Sequence, residues 1–445
     1  MATTTGSAAA SSESILANED LRRRLLFTLF CLLIYRLGVH VPTPGINGDV
    51  VKSFFESQGG LFGLFNTFTG GALNQFSVFA LGIMPYISAS IIFQLLTATI
   101  PYLEALKKEG QHGQKKITQY TRWSTVVLAV VQGYAISTWL MGQSGQNGEA
   151  LYYPQVGAVP FQAMTIVTLV AGTCFIMWLA EQITEFGIGE GASLIIYAGI
   201  AAGIPSGTMG LYTLVANGQI NGLLGLMLVG FMIAAVAFII FMEVSQRRLP
   251  IHVSQKGGAK GQTMGSFFPI KVNPSGVIPP IFASSILMMP ATISSFSDAA
   301  WVTIVQDYMN PLSPTGGGLY NILFIALIVF FCFFYTEIVF PPQEISDNLK
   351  KSGKFIPGIR AGKSTANYIS KVMERVNVAG AIYLSAVCIL PTILIARLNV
   401  PFYFGGTSLL ILVGVAIQMI EKVNGYRYEA IIKAQRRPRK KRVQF

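Results

Sequence analysis

The chain has 445 residues, of which 52% are hydrophobic and only 12% are charged, and its mean hydropathy is +0.54. About a quarter of the residues of a soluble domain are charged, so this composition excludes a soluble globular protein and indicates a polytopic membrane protein. The 32 lysines and arginines outnumber the 20 acidic residues and give a net charge of +12; their positions predict the topology.

The opening residues 1–20 are small, polar and slightly acidic, without the charged and apolar regions of a signal peptide, and are predicted to form a disordered cytoplasmic tail. The four cysteines lie in four different apolar runs and are predicted to be small core residues. His40, His112 and His252 lie far apart in the sequence, so neither a metal site nor a catalytic cluster is predicted, and no cofactor is expected.

Residues 59–71 form a short apolar segment with a glycine pair at each end. A helix needs about 20 residues to cross a bilayer, so this segment is too short to span. Residues 72–100 are long enough, and Pro85 is expected to kink that span. A short apolar helix before a full span predicts a re-entrant element buried in protein, with an ordinary loop as the alternative.

The sequence predicts an all-α protein with ten transmembrane segments, five on each side of a polar connector. The segments are residues 25–41, 72–100, 123–141, 161–180, 191–204, 223–241, 276–293, 319–340, 376–395 and 404–420. The predicted domains are an N-terminal half (21–208), a hinge connector (209–222), a C-terminal half (223–422) and a basic cytoplasmic tail (423–445).

The basic residues determine the predicted orientation, because cytoplasmic loops of membrane proteins are enriched in lysine and arginine. With ten spans, all of the lysines and arginines except Arg36, Lys52 and Arg397 fall on one side. Both termini are therefore predicted to be cytoplasmic. Because five is odd, two homologous halves would enter the membrane in opposite directions, as in an inverted repeat, although residue identity does not reveal such a repeat.

The predicted spans carry almost no charge near the middle of the membrane, since Arg36 and Glu337 lie close to span ends. This argues against an enzyme and against a proton-coupled carrier. Ile83 and Ile87 lie four residues apart on one helix face, and an apolar constriction of such residues can exclude water. Lipid contact or ordinary packing is the alternative for each isoleucine.

Two cytoplasmic loops, residues 243–275 and 341–375, are basic and far longer than a connector needs. They suit an acidic or phosphate-rich cytosolic partner. Topology and contact with anionic lipids would explain their charge but not their length. The basic tail could equally contact lipid, remain a solvated tail or contact RNA.

Six long motifs, in the same order along the chain, resemble the SecY family, the pore-forming subunits of the bacterial protein-conducting channel. The motifs are GGALNQFSVFALGIMPYISASIIFQLL, KKEGQHGQKKITQYTR, LAEQITEFGIGEGASLIIYAG, FPIKVNPSGVIPPIFASSI, DNLKKSGKFIPGIRAGKSTANYI and VPFYFGGTSLLILVGVAI. The resemblance implies a clamshell of two pseudo-symmetric five-helix halves, which conducts unfolded secretory polypeptides and releases transmembrane segments sideways into lipid.

The resemblance also implies residue roles. The plug is expected at residues 59–71, with the apolar side chains Leu61, Phe62, Leu64, Phe65 and Phe68. The pore ring is expected at Ile83, Ile87, Ala192, Ile196, Ile281 and Ile411. Lateral-gate contacts are expected at Ser88, Gln94 and Asn273, and contacts with cytosolic partners at Arg247, Arg248, Lys256, Lys350, Lys351 and Arg360.

Three positions depart from the family pattern. Ala192 stands where many relatives carry isoleucine, Gln343 where relatives carry arginine, and Glu190 where an amide is common. The expected partners are small membrane subunits of the SecE and SecG type, the SecA ATPase motor, the ribosome, unfolded chains with signal sequences, and anionic lipids. The expected location is the bacterial inner membrane, with a thylakoid as the alternative.

Two other functions remain open from the residues alone. A secondary transporter of small solutes shares inverted halves and broken helices, but it requires a polar site in the membrane. A membrane scaffold would use the basic loops only for docking, and its central isoleucines would be dispensable.

Overall fold

The computed structural model describes residues 19–57, 66, 68–143, 148–218, 221–253, 266–294, 317–398 and 406–436. The helices are α1 (Glu19–Gly38), α2 (Gly48–Ser57), α3 (Met84–Thr99), α4 (Pro101–Lys108), α5 (Gln111–Gly142), α6 (Ala158–Phe186), α7 (Gly191–Ala216), α8 (Gly222–Val244), α9 (Ile278–Ser294), α10 (Gly317–Val339), α11 (Pro342–Lys351), α12 (Lys363–Leu398) and α13 (Gly406–Arg436). The strands are β1 (Gln246–Val253), β2 (Ser266–Lys271) and β3 (Lys354–Phe355).

Each predicted span contains a helix, so the order of apolar elements is as expected. Among the described residues, seven helices are long and apolar enough to cross a membrane, and the bent pair α3–α4 raises this to eight. The two remaining predicted spans correspond to α1, whose first turns carry three arginines, and to α9, whose apolar stretch Ile278–Leu287 is short. The protein is therefore a mostly helical, multi-pass membrane protein.

The second predicted span differs from expectation, because its helix begins only at Met84. Pro85 lies in the first turn of α3, where its missing N–H is not needed, and so the predicted kink at Pro85 is wrong. Residues 70–83 form successive turns instead. The backbone of this stretch bonds to the end of the first span: the Thr43 amide donates to the Phe76 carbonyl (3.0 Å) and the Val78 amide to the Val41 carbonyl (2.9 Å).

The sharp bend in this region lies between α3 and α4, whose axes meet at 97°. Ile100 is extended there, with φ −96° and ψ 116°, as expected of a residue that precedes a proline. Pro101 then starts α4. The chain therefore turns away from the axis of α3 immediately after that helix ends.

A three-stranded sheet of order β2–β1–β3 joins the two long loops and modifies the all-α prediction. The antiparallel pairing of β1 with β2 runs from Gln246↔Lys271 to Ile251↔Ser266, and β1 pairs with β3 through His252↔Phe355. Leu249 and Ile251 are buried and alternate with exposed residues, as expected for a strand covered on one face. The two long loops are therefore held together by a single sheet.

An apolar cluster holds this sheet against α12. Leu249, Ile270 and Ile356 pack with Ile369 and Val372 of that helix. The helix begins inside the loop predicted for residues 341–375, so about a third of that loop is helical from Lys363 onward. Helix α13 likewise continues to Arg436, into the predicted tail, while residues 437–445 and the predicted tail residues 1–18 lie outside the described residues.

The two halves of the chain meet at a short connection. Helix α7 continues to Ala216, well into the predicted connector, and α8 starts at Gly222, capped by the Asn221 side chain. The ends of the two helices pack closely, since a Cβ atom on Gly225 would lie 2.9 Å from a methyl carbon of Val215. Only residues 217–221 separate α7 from α8.

Candidate functional site

The predicted ring residues come together in one buried apolar cluster. Ile83 and Ile87 lie at the start of α3, Ile196 in α7, Ile281 in α9 and Ile411 in α13, and each is at most 6% exposed. Helix α3 contacts α9, and α7 contacts α13. Four helices thus contribute branched aliphatic side chains to one buried apolar cluster, an environment in which hydration is unfavourable.

Ala192 is half-buried and packs against the same cluster. Glu190, two residues earlier, is the N-cap of α7. Its carboxylate accepts a hydrogen bond from the Ser193 hydroxyl (3.2 Å). A carboxylate at a helix N-terminus is stabilised by the helix dipole. Glu190 therefore fits its position without an amide.

Of the predicted plug side chains, Phe68 is described, and it is buried in the same cluster as the ring. Leu61, Phe62, Leu64 and Phe65 lie outside the described residues. The segment is attached at its C-terminal end: the Tyr35 hydroxyl donates to the Thr69 carbonyl (3.1 Å), and the Arg36 guanidinium donates to the Gly70 carbonyl (2.6 Å). Arg36, predicted to lie near the outer end of the first span, therefore holds this segment.

Gly70 packs directly against the backbone of α7. A Cβ atom on Gly70 would lie 2.6 Å from the Gly199 Cα atom, whereas a Cβ atom on Gly71 would meet nothing within 4 Å. Both glycines have positive φ, +68° and +91°. The second glycine pair of the segment thus combines one residue packed tightly against α7 and one with open space where a side chain would lie.

We expect Gly70→Ala to lower the thermal stability of the purified protein more than Gly71→Ala does. Both changes place a side chain at positive φ, which costs about 1–2 kcal/mol, but only Gly70→Ala also forces α7 away, at a further cost of about 1–3 kcal/mol. Thermal unfolding in detergent compares the two variants. Equal melting temperatures would show that the Gly70–Gly199 contact is not tight.

The described side-chain hydrogen bonds of Gln94 and Asn273, two of the predicted gate residues, stay within their own halves of the chain. Ser88 is buried, and the Gln94 side-chain amide donates to the Ser90 hydroxyl of its own helix (3.3 Å). The Asn273 amide donates to the Glu243 carboxylate (2.7 Å) and to the Gly276 carbonyl (2.9 Å), both in the C-terminal half. Among the described hydrogen bonds, none joins Gln94 to Asn273.

The predicted contacts with cytosolic partners lie on the sheet and the segments beside it. Arg247 and Arg248 of β1, Lys350 and Lys351 at the end of α11, and Arg360 are all exposed, while Lys256 lies outside the described residues. The sheet joins the two loops that carry these cations, which their separation in the sequence did not predict.

Arg360 lies on a loop whose backbone is fixed on both sides. Its carbonyl accepts a hydrogen bond from the Thr365 hydroxyl (2.8 Å) at the start of α12, and the Ser346 hydroxyl donates to the Gly362 carbonyl (2.8 Å). Ile356 anchors the preceding residues in the apolar cluster beneath the sheet. An exposed guanidinium on a rigid loop is suited to recognising a carboxylate or phosphate.

Sequence reasoning missed the partner of Asn273. Glu243, assigned to the start of a cytoplasmic loop, is 6% exposed at the end of α8. Its position at the end of an apolar run is equally typical of the start of a loop, so the local sequence does not reveal its burial. Across the residues that the structure describes, no group of three His, Cys, Asp or Glu side chains could hold a metal ion.

Comparison with known proteins assigns the family. A sequence model named SecY matches residues 77–420. The protein translocase subunit SecY of Pseudomonas aeruginosa is 46% identical over 426 residues, which cover 93% of this chain and 94% of that protein. The chain belongs to the SecY family. The SecY subunit of Escherichia coli K12 is 44% identical over 425 residues, with the same coverage of 93% and 94%.

Solved structures have the same fold. A protein conducting channel superposes with a TM-score of 0.69 at 18% identity and covers 94% of this chain and 95% of its own. Sec61 in the canine ribosome-channel complex from the endoplasmic reticulum gives a TM-score of 0.63 at 16% identity, with the same coverage of 94% and 95%. SecY proteins are translocation-channel subunits and not enzymes, as the sequence predicted for this chain.

Proposed function

We propose that this chain forms the pore through which unfolded secretory polypeptides cross a bacterial inner membrane. The observation that carries the proposal is the convergence of Ile83, Ile87, Ile196, Ile281 and Ile411, from four helices, in one buried cluster. A ring of branched aliphatic side chains can close around an extended peptide and still exclude ions, because an unfilled apolar neck resists hydration.

In this proposal the ten helices form two inverted halves of five, and both termini lie in the cytoplasm. The distribution of basic residues supports the orientation, and the exposed apolar side chains on α6 and α8 support contact with lipid, for example Val167 and Leu226. Residues 59–71 are the plug on the outer side of the ring. Their attachment through Thr69 and Gly70 keeps the plug next to the neck.

Lateral release completes the proposed path. A segment in the pore reaches lipid between α3 and α9, and leaves sideways when its transfer into hydrocarbon is favourable. Ser88 and Gln94 on α3 are the proposed polar contacts of this gate. The Asn273 side chain bonds within the C-terminal half, so its proposed contribution is to the position of α9.

The free energy for transport must come from partners, because no bond is broken in an apolar neck. We propose that the SecA motor and the ribosome bind the cationic surface formed by Arg247, Arg248, Lys350, Lys351 and Arg360, together with Lys256. Small membrane subunits of the SecE and SecG type and anionic lipids complete the assembly. Sec61 in the ribosome-channel complex supports a ribosome as partner for this fold.

Crosslinking of a stalled secretory chain tests the proposal. A photoreactive residue at position 83 is expected to crosslink to the translocating chain, since Ile83 lines the neck. The same residue at position 167 is the control, because Val167 is 68% exposed on the outer face of α6. Equal crosslinking at both positions, or small-solute exchange in proteoliposomes without any polypeptide, would overturn the channel in favour of a scaffold or a transporter.

A further inference from the structure

The end of α8 carries a buried carboxylate that the apolar neck does not use. Glu243 is 6% exposed, and its Oε1 accepts a hydrogen bond from Asn273 Nδ2 at 2.7 Å. Asn273 is 2% exposed and also donates to the Gly276 carbonyl at 2.9 Å. The pair therefore connects the end of α8 to the residues that lead into α9.

The same hydrogen-bond network reaches two further helices. The Ser275 hydroxyl donates to Asn273 Oδ1 (3.0 Å) and lies 3.3 Å from the Cys332 sulfur of α10. The Cys332 thiol and the Thr336 hydroxyl both donate to Asn377 Oδ1 of α12, at 3.0 and 3.1 Å. All of these side chains are nine-tenths or more buried. The network thus joins three helices, α8, α10 and α12, to the residues that lead into α9, at the base of the cytosolic sheet.

The network lies directly beside the start of β1 and the end of β2. Strand β1 starts three residues after Glu243, and β2 ends two residues before Asn273. The ladder continues down to the network, because the Val272 amide donates to the Ser245 carbonyl at 3.0 Å. The segment that connects α8 to β1 and the segment that connects β2 to α9 therefore lie side by side where they reach the network.

The segment that follows β2 also packs against α12. A Cβ atom on Gly380 would lie 2.8 Å from the Val272 carbonyl oxygen, so the two backbones are nearly in contact. On the other side, Gly276 leads directly into α9, whose first turns carry Ile281 of the ring. The hairpin and the start of α9 are therefore connected through closely packed residues.

Stability alone does not require this network, because a buried carboxylate is costly to desolvate and an apolar replacement of similar volume is often as stable. We propose that Glu243 and Asn273 are positioning residues that transmit a displacement of the cytosolic sheet to α9. The inference rests on the proposed function, since it assigns the sheet to partner binding and α9 to the gate. It concerns the coupling between the two, not the existence of either.

The test uses the full channel complex with its motor in proteoliposomes. Glu243→Leu is expected to leave motor affinity and resting ion conductance unchanged, while polypeptide transported per nucleotide hydrolysed falls at least about fivefold, the lower range of a typical coupling between two sites. Glu243→Gln retains an oxygen acceptor for Asn273 and is expected to transport at close to the wild-type ratio.

Two further variants make the test decisive. Ser275→Ala removes only the link from Asn273 toward α10 and is expected to reduce the ratio less than Glu243→Leu does; it replaces that variant if Glu243→Leu does not assemble. Glu104→Leu removes an exposed carboxylate, paired with Lys108 outside the network, and serves as the control.

The outcomes separate the coupling from the channel itself. Wild-type transport per nucleotide in both Glu243→Leu and Ser275→Ala would overturn the coupling and leave the channel intact. A parallel loss of motor affinity and transport would also overturn it, because that pattern indicates a damaged fold. Failure of the channel proposal would show instead in the wild-type crosslinking experiment.

Discussion

Replacing a ring isoleucine by asparagine is expected to raise the resting ion conductance of reconstituted channels by about 10- to 100-fold per position. Burial of one such side chain is worth about 1.5–3 kcal/mol, and each 1.4 kcal/mol removed from the barrier to hydration is a factor of about ten in rate. The positions are Ile83, Ile87, Ile196, Ile281 and Ile411. Single-channel recording in planar bilayers measures the effect without a translocating chain.

The matched control for this series is Leu226→Asn. Leu226 lies on α8 and is 72% exposed, on a face that the proposed arrangement turns toward lipid. Its replacement introduces the same polar group outside the neck, so conductance is expected to remain at the wild-type value. Unchanged conductance in all five ring variants would refute the ring and favour a scaffold.

Arg360→Glu is expected to reduce motor-driven transport at least about tenfold while folding and membrane insertion stay normal. Loss of one charged partner in a docked pair typically costs about 2–5 kcal/mol, and the reversed charge adds repulsion. The fold should not change, because Arg360 is exposed and its guanidinium takes no part in the contacts that fix its loop. Those contacts are the packing of Ile356 and the hydrogen bonds at Thr365 and Gly362. Transport of a preprotein into inverted vesicles measures the effect.

Lys52→Glu provides the same charge reversal on the opposite side of the predicted topology. Lys52 is exposed on α2 and is one of the three basic residues that the predicted topology places outside the cytoplasmic loops. We expect it to transport at the wild-type rate. Normal translocation by Arg360→Glu, with the motor at limiting concentration, would remove Arg360 from the binding surface.

The order of the apolar elements could be read from the sequence because it depends on local signals. A long apolar run and the lysines and arginines beside it determine where a helix spans and which way it faces. The ring positions were predicted from the resemblance of motifs, and the structure places five of the six, the isoleucines, in one buried cluster, with Ala192 packed against it. These features need no knowledge of distant contacts.

The features that the sequence did not predict depend on distant contacts. The turns before α3 are stabilised by hydrogen bonds to Val41 and Thr43, so residues 70–83 do not form the helix that their composition favours. The pairing of β1 with β3 joins residues about a hundred positions apart. The burial of Glu243 follows from Asn273, 30 positions away, and its sequence neighbours give no sign of it.

The short link between α7 and α8 limits how the two proposed halves can separate. Five residues, 217–221, reach at most about 18 Å when fully extended, at about 3.6 Å per residue. The close packing of Gly225 on Val215 draws the two helix ends together well within that reach. In the proposed arrangement of two halves, this link acts as a tether along one edge, so the halves rotate about it without moving apart there, and a wide opening forms on the side away from the tether.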